Sequence, residues 1–439
     1  MLRSITLGLT LCAAAPLAAK APDTLGAVAE AYVKLSLEAG EREEGYVDAY
    51  FGPPAWAAAA KAKPRTVPQL EADARALAAR AEAIPAARLQ PIERKRRAFL
   101  IGQLRAAATR MAMAGGKQFS FDEEAIGLFG VKPVLTPLTA LDPLLARLDQ
   151  LLPGPAPLAD RYTAWRAASV IPLDRVKPVT ALAIAECRRR TVAHIPLPAG
   201  ERFTLGVARD KPWGAYNYYK GRFTSHIDVN VDRPVTVAAA VDYGCHEGYP
   251  GHHVYNMLLE RDLLRKRGWV EFSIYPLYGP QSLIAEGSGN YGVEIAFPGD
   301  QQAAYERATL YPAAGLTPPT GRTAEIAAIR AELGKARFTI AREYLDGRID
   351  RAQALALTGK YMLLKPEEAA ASLRFTDHYR SSVINYGYGL ELVRAAVNAA
   401  GPGANARWAR LRTLLSEPTT PADLIALAAR PVGGTVAAR

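Results

Sequence analysis

At 439 residues the chain is long enough for one to three domains and a large buried core. Apolar residues make up 49% and charged residues 22%, which excludes a disordered chain. The formal charge of +11 is mostly an arginine excess spread along the chain, without the aromatic-and-basic pattern of a nucleic-acid module; a solvated basic surface suits acidic substrates or anionic envelope polymers.

Residues 1–21 read as a secretory signal. Arg3 supplies the positive end, Ile5 to Ala15 the apolar stretch, and small residues up to Ala21 the cleavage zone. Leu11 is too bulky to precede a lipidated cysteine, so Cys12 belongs to the removed peptide. No later run of 18 or more apolar residues follows, so no transmembrane segment is expected. An exported protein, periplasmic or secreted, is the expectation. Export leaves Cys187 and Cys245, which could pair in an oxidising compartment. Cys245 abuts a histidine, but adjacent residues seldom point at one ion, and a buried thiol is the preferred reading.

The mature chain, 22–439, is expected to be one catalytic unit, helical over 22–200. Leu25, Val28, Tyr32 and Leu35 recur at helical spacing behind a Thr24 cap, and Gly40 ends the run. Pro68 opens a second helix with Leu70, Leu77, Ala81 and Ile84 on one face. A third runs from about Ile92 to Met113, with the basic set Arg94 to Arg97 read as a solvated face. Asp122, Glu123 and Glu124 suit the start of a further helix, where carboxylates meet the positive end of the dipole. PGPAP at 153–157 breaks the pattern before a helix from about Val176 to Val192.

Between Phe203 and Val235 the period changes. Tyr216, Tyr218, Tyr219, Phe223, Ile227, Val229 and Val231 alternate with polar or small residues, which predicts two or three short strands. The segment SHIDVN, 225–230, reads as an edge strand able to pair with an extended peptide. His226 within it reads as an exposed strand residue.

Three of the six histidines, His246, His252 and His253, then fall within eight residues, with Glu247 directly after the first. Imidazole is a common zinc ligand, and a carboxylate beside a ligand histidine is where a metal-activated water needs its base. A regular helix cannot make this site. His252 would lie roughly 9 Å along the axis from His246 and about 120° round it, and His253 roughly 10.5 Å along and within about 20°. Two nitrogens on one zinc can be only about 3–4 Å apart. Pro250, with Gly248 and Gly251, permits a bulge or break that loops out two residues and brings His252 next to His246. The competing reading is a loop of solvated histidines. Asp242, one turn earlier, suits either a partner for a ligand histidine or a helix cap.

Glu286, 40 residues beyond His246, is the best third ligand; an ordinary solvated helix glutamate is its alternative. A stretch rich in proline and glycine, YPAAGLTPPTG, leads to helices at about 323–346, 350–362, 366–374 and 379–400.

The segment His246-Glu247-Gly248-Tyr249-Pro250-Gly251-His252 resembles the H-E-x-x-P-G-H signature of the bacterial family catalogued as domain of unknown function 885, grouped with the gluzincin-type zincin-like metallopeptidases. Its second signature, E-G-W-[AG]-x-Y, is similar to Glu286-Gly287-Ser288-Gly289-Asn290-Tyr291. A third, with a tyrosine on a late helix, is similar to Asn385-Tyr386-Gly387-Tyr388-Gly389. Ser288 departs from the family's tryptophan, and the glutamate expected seven after Glu286 is Val293, with Glu294 one place later.

The resemblance implies a mainly α, two-lobed helical zincin-like fold with a small β-sheet beside the active-site cleft, akin in outline to carboxypeptidase Taq or angiotensin-converting enzyme. It implies one zinc per chain on His246, His252 and Glu286, with Glu247 as general base. Tyr386, or else Tyr291 or Tyr388, would donate to an oxyanion. The expected substrate is a peptide. A zinc hydrolase of another amide, such as cell-wall peptide, and a non-catalytic envelope-binding protein with a decayed site are the rival expectations.

Overall fold

The computed structural model of the chain describes residues 24–429, so the expected signal segment lies outside the described residues. The protein is mainly helical, with two small sheets. No described helix is long and apolar enough to cross a membrane.

The first helix, Leu25–Gly40, starts where its cap predicts: Thr24 Oγ1 accepts from the Ala27 amide at 3.2 Å, and Leu25, Val28, Tyr32 and Leu35 are buried. Helices Val67–Ala83 and Pro91–Ala114 follow, close to the expected bounds, and pack along one another. The basic set on the latter is not uniformly solvated. Arg96 is buried in an ion pair with Glu271 at 2.5 Å, under the Trp269 ring, because its helix faces the core at that turn. Ser120 and Glu123 cap Phe121–Phe129 reciprocally, while Glu124 is buried and binds Arg380 and the amide of Ser381. The alanine-rich helix Pro54–Ala62 has no apolar periodicity and was not legible from spacing.

A two-stranded sheet pairs β1 (Val47–Tyr50) with β5 (Ile274–Pro276), and a three-stranded one is built from β2 (Arg202–Ala208), β3 (Ala215–Tyr219) and β4 (Thr224–Asn230). The order in the latter is β2-β4-β3, with β4 parallel to β2 and antiparallel to β3. SHIDVN is therefore a central strand, not an edge. Its alternation marks a strand with one face against the core, and that pattern is the same at a centre or an edge. β3 is the edge beside the histidine segment, where the Asn217 amide donates to the Glu247 carbonyl at 2.6 Å.

Buried apolar residues form two clusters. The larger holds the N-terminal helices, the sheet, the histidine segment and the helices Pro280–Ala296 and Ile384–Asn398; the smaller joins residues of 141–152 to helices Thr323–Leu333, Ala336–Leu345 and Arg351–Met362.

Candidate metal centre

The histidine segment is a helix that changes pitch, breaks and restarts. Val237–Tyr243 is regular, capped by Thr236, whose hydroxyl accepts from the Ala239 amide. Gly244–Gly248 is a π turn, closed by Tyr249 N–H to Gly244 O at 3.0 Å. The Tyr249–Pro250 peptide is cis, and a new helix runs from His252 to Leu259. Gly251 permits the break: a Cβ there would lie 1.8 Å from the His246 carbonyl oxygen. Gly244 lets the segment lie against the helix Leu173–Val192, where a Cβ would meet the Ala183 and Ile184 backbone at 3.0 Å. The widened turn and the break cancel the axial separation of a regular helix. The His246 and His252 rings meet edge to face with centroids 4.6 Å apart.

Glu286 reaches them from the helix Pro280–Ala296. Its Oε2 is 3.3 Å from His246 Nε2 and its Oε1 is 3.6 Å from His252 Nε2. One donor atom from each of the three side chains lies within 4.8 Å of the other two. One turn along the same helix, Asn290 Oδ1 lies 2.9 Å from His246 Nδ1, and Asn290 Nδ2 donates to the Tyr386 carbonyl at 2.6 Å. An amide oxygen only accepts, so Nδ1 carries a proton, and Nε2 is the nitrogen left to offer its lone pair to a metal ion at the triad. Gly289 leaves room for that ring, since a Cβ would be 2.9 Å from His246 Nδ1.

The set fits a metal ion. Two imidazole nitrogens and a carboxylate converge, and Glu286 Oε2 is buried with no hydrogen-bond partner. Two histidines and a glutamate with one position left open is a donor set of catalytic zinc. Without a cation the carboxylates act on the histidine instead. Burial by itself would lower the His246 pKa, but the adjoining Glu286 carboxylate, with the charges of Glu247 and Asp242, outweighs it and raises it to about 10. Glu286 is pushed down to about 2: burial opposes ionisation, and His252 and His246 overcome it.

Glu247 is buried beside the triad, and its carboxylate has no hydrogen-bond partner among the described residues. Burial raises its pKa, with His246 and His252 opposing. Asp242 is within electrostatic reach of His246 but makes no hydrogen bond to it, and burial raises its pKa too. Asn290, not Asp242, orients that ring. Sequence reasoning passed over Asn290, although its position four residues after Glu286 puts both on one helix face.

His253 points the other way. It is fully buried, with Nδ1 2.7 Å from Ser225 Oγ and Nε2 3.2 Å from Glu201 Oε1. Glu201 also binds the Tyr249 hydroxyl and Arg188, so His253 belongs to a network that anchors the break. His226 is half-buried between Thr204 and Asp228 and lies outside the triad.

Cys187 and Cys245 are joined by a disulfide, with Cα atoms 5.4 Å apart. The expected free thiol is thereby corrected. Helix Leu173–Val192 runs directly alongside the π turn, a proximity that the sequence separation of 58 hides.

Of the three candidate tyrosines, Tyr386 is the one within electrostatic reach of both Glu286 and Glu247, and it is 36% exposed. The Tyr291 hydroxyl donates to Asn398, and Tyr388 lies near Glu391. The helix bearing Tyr386 packs tightly on the helix bearing Glu286: a Cβ on Gly287 would lie 2.4 Å from the Gly389 carbonyl oxygen. Ser288 is buried and donates to the Ala285 carbonyl; Glu294 pairs with Arg394. Asp48 enters the site unannounced by any motif. The Tyr216 hydroxyl donates to it, and it is within electrostatic reach of His252 and Glu286.

No family model matches the chain. No curated protein matches it either. Among solved structures it is similar to a protein described as a "putative lipoprotein" from Colwellia psychrerythraea, at 13% identity and a TM-score of 0.52, over 83% of this chain and 69% of that one. More distant likenesses are a lipoprotein of unknown function, likewise so described, from Shewanella oneidensis (11%, TM-score 0.43, 83% and 76% covered) and the M32 carboxypeptidase of Deinococcus radiodurans R1 (14%, TM-score 0.42, 92% and 93% covered). The latter two are too distant to carry an argument. What the first similarity establishes is a shared fold.

Proposed function

We propose that this chain is a zinc-dependent peptidase of the cell envelope. The convergence of His246, His252 and Glu286 carries the reading, with Glu247 buried directly beside them and free to accept a proton. A zinc ion held by those three would polarise the scissile carbonyl and acidify a water molecule. The rest falls to the chain's own groups. Glu247 takes the proton from the attacking water and delivers it to the leaving amine. The Tyr386 hydroxyl donates to the oxygen that becomes negative. Asn290 holds the His246 ring with Nε2 inward. Export is supported by the positive, apolar and small-residue succession over residues 1–21, by the disulfide, and by similarity to a protein described as a lipoprotein.

Zinc-loaded Glu247→Gln provides the direct test. The amide is close in shape but cannot accept the proton, so metal content should be unchanged and hydrolysis of a mixed peptide library lost. Wild-type turnover in that variant would sink the mechanism. Hydrolysis of cell-wall peptides alone would move the substrate to that class, and a wild-type protein without bound metal would leave only the envelope-binding reading.

A further inference from the structure

We infer that Glu124 is a positioning residue for the metal centre: it holds the corner at Arg380 from which the helix Ile384–Asn398 departs, and so sets the Tyr386 carbonyl that, through Asn290, aims His246 at the ion. This rests on the zinc reading above.

Glu124 lies in the short helix Phe121–Phe129, and its carboxylate is fully buried. Three donors converge on it. Arg380 Nε donates to Oε2 at 2.6 Å, and the amide and hydroxyl of Ser381 donate to Oε1 at 2.9 and 2.8 Å. All three belong to one corner of the chain. A buried carboxylate is costly to desolvate, and its removal would leave buried donors without partners.

The corner is strained. The helix Pro366–Tyr379 ends at Arg380, whose φ is +49° and ψ −127°, a region that residues with a Cβ avoid. Such a backbone persists only where its surroundings over-determine it. Glu124 does so here, by binding the Arg380 side chain and the amide that follows. A single tight turn, Arg380–Val383, then leads into Ile384–Asn398, and Ser381, Val383 and Ile384 are fully buried. The reversal brings the Tyr386 ring edge-on to Phe375, on the other side of the corner, with centroids 6.1 Å apart.

From the corner to the histidine the path is a chain of direct contacts. Tyr386 stands in the first turn of its helix. Its carbonyl accepts from Asn290 Nδ2 at 2.6 Å, and Asn290 Oδ1 lies 2.9 Å from His246 Nδ1. The close approach of Gly389 to Gly287 fixes the distance between the two helices, but not how one slides or turns against the other. Those are set where the helix starts, at Arg380. If the corner relaxes, the Tyr386 carbonyl leaves the Asn290 amide. An amide released at one end rotates and no longer holds the His246 ring.

The test is the zinc affinity of the full mature chain, by competition with a chelator of known strength, for the wild type, Glu124→Gln, Asn290→Ala and the double variant. Glu124→Gln should weaken zinc about tenfold, the low end of the range for groups that orient a ligand, and Asn290→Ala at least as much. The double variant should bind zinc as Asn290→Ala does, because the path from the corner is already cut there. A merely structural role would lower the melting temperature and leave zinc affinity alone, or would add the same factor in both backgrounds. Either result overturns the inference. Should Glu124→Gln fail to fold, Arg380→Ala, which keeps both Ser381 bonds, takes its place in the cycle. A smaller loss in the same direction is then expected, and undiminished affinity overturns the inference as well. A wild type that holds no zinc removes the zinc reading and the inference with it; equally tight zinc in the wild type and Glu124→Gln removes the inference alone.

Discussion

Adjacent His252 and His253 have opposite tasks, and their variants should separate. His246→Ala and His252→Ala each remove one of the three proposed ligands, so the expected stoichiometry of about one zinc per chain should be lost. His253→Ala should retain zinc and melt at a lower temperature, because Ser225 and Glu201 lose a buried partner at a cost of about 1–3 kcal/mol. Equal metal loss from the two neighbours, measured by elemental analysis, would contradict the break at Pro250 as the feature that selects between them. Asn290→Ala leaves all three proposed ligands and removes the group that fixes the His246 tautomer, together with its bond to the Tyr386 carbonyl. Zinc affinity should fall by about 10–100-fold, read by competition with a chelator of known strength. Undiminished affinity would leave Asn290 as a tie between helices through the Tyr386 carbonyl.

On the scale of elements, the pitch change at Gly244–Gly248 is held from both sides. Glu201, Tyr249 and His253 anchor the far side of the break, and the disulfide from Cys245 to Cys187 anchors the π turn to its neighbouring helix. A link across 58 residues removes much freedom from the unfolded chain. Cys187→Ser/Cys245→Ser should therefore cost about 2–5 kcal/mol in denaturant unfolding. Since Cys245 precedes His246, zinc should also dissociate faster from the double variant. Unchanged stability and zinc release would show the packing of Gly244 on Ala183 and Ile184 to be enough.

At the scale of the whole molecule, the site is assembled from segments far apart in sequence. The histidines come from 246–252, Glu286 and Asn290 from the helix Pro280–Ala296, Asp48 from β1, and Tyr386 from the helix Ile384–Asn398. Tyr386→Phe tests whether that last contribution is chemical. A hydrogen bond made to the oxyanion and weakly to the ground state lowers kcat and leaves KM nearly unchanged when it is lost. The expected fall is roughly 10²–10³-fold in kcat, with zinc content unaltered. If kcat holds while the melting temperature drops, the hydroxyl serves the fold.

The sequence by itself determined the helices with a cap and an apolar period, such as Leu25–Gly40, because capping and amphipathicity are local and written in adjacent residues. It also determined that His246 and His252 meet only if the helix breaks, since the rise per residue forbids the alternative. Only the tertiary structure decided the rest. β4 is central because β2 and β3 come to either side of it, which its own alternation does not encode. Cys187 and Cys245 are bonded because two helices pack side by side, and Arg96 is buried because Glu271 faces it from 175 positions away. Each depends on contact between elements distant in sequence, and such contacts leave no periodicity to read.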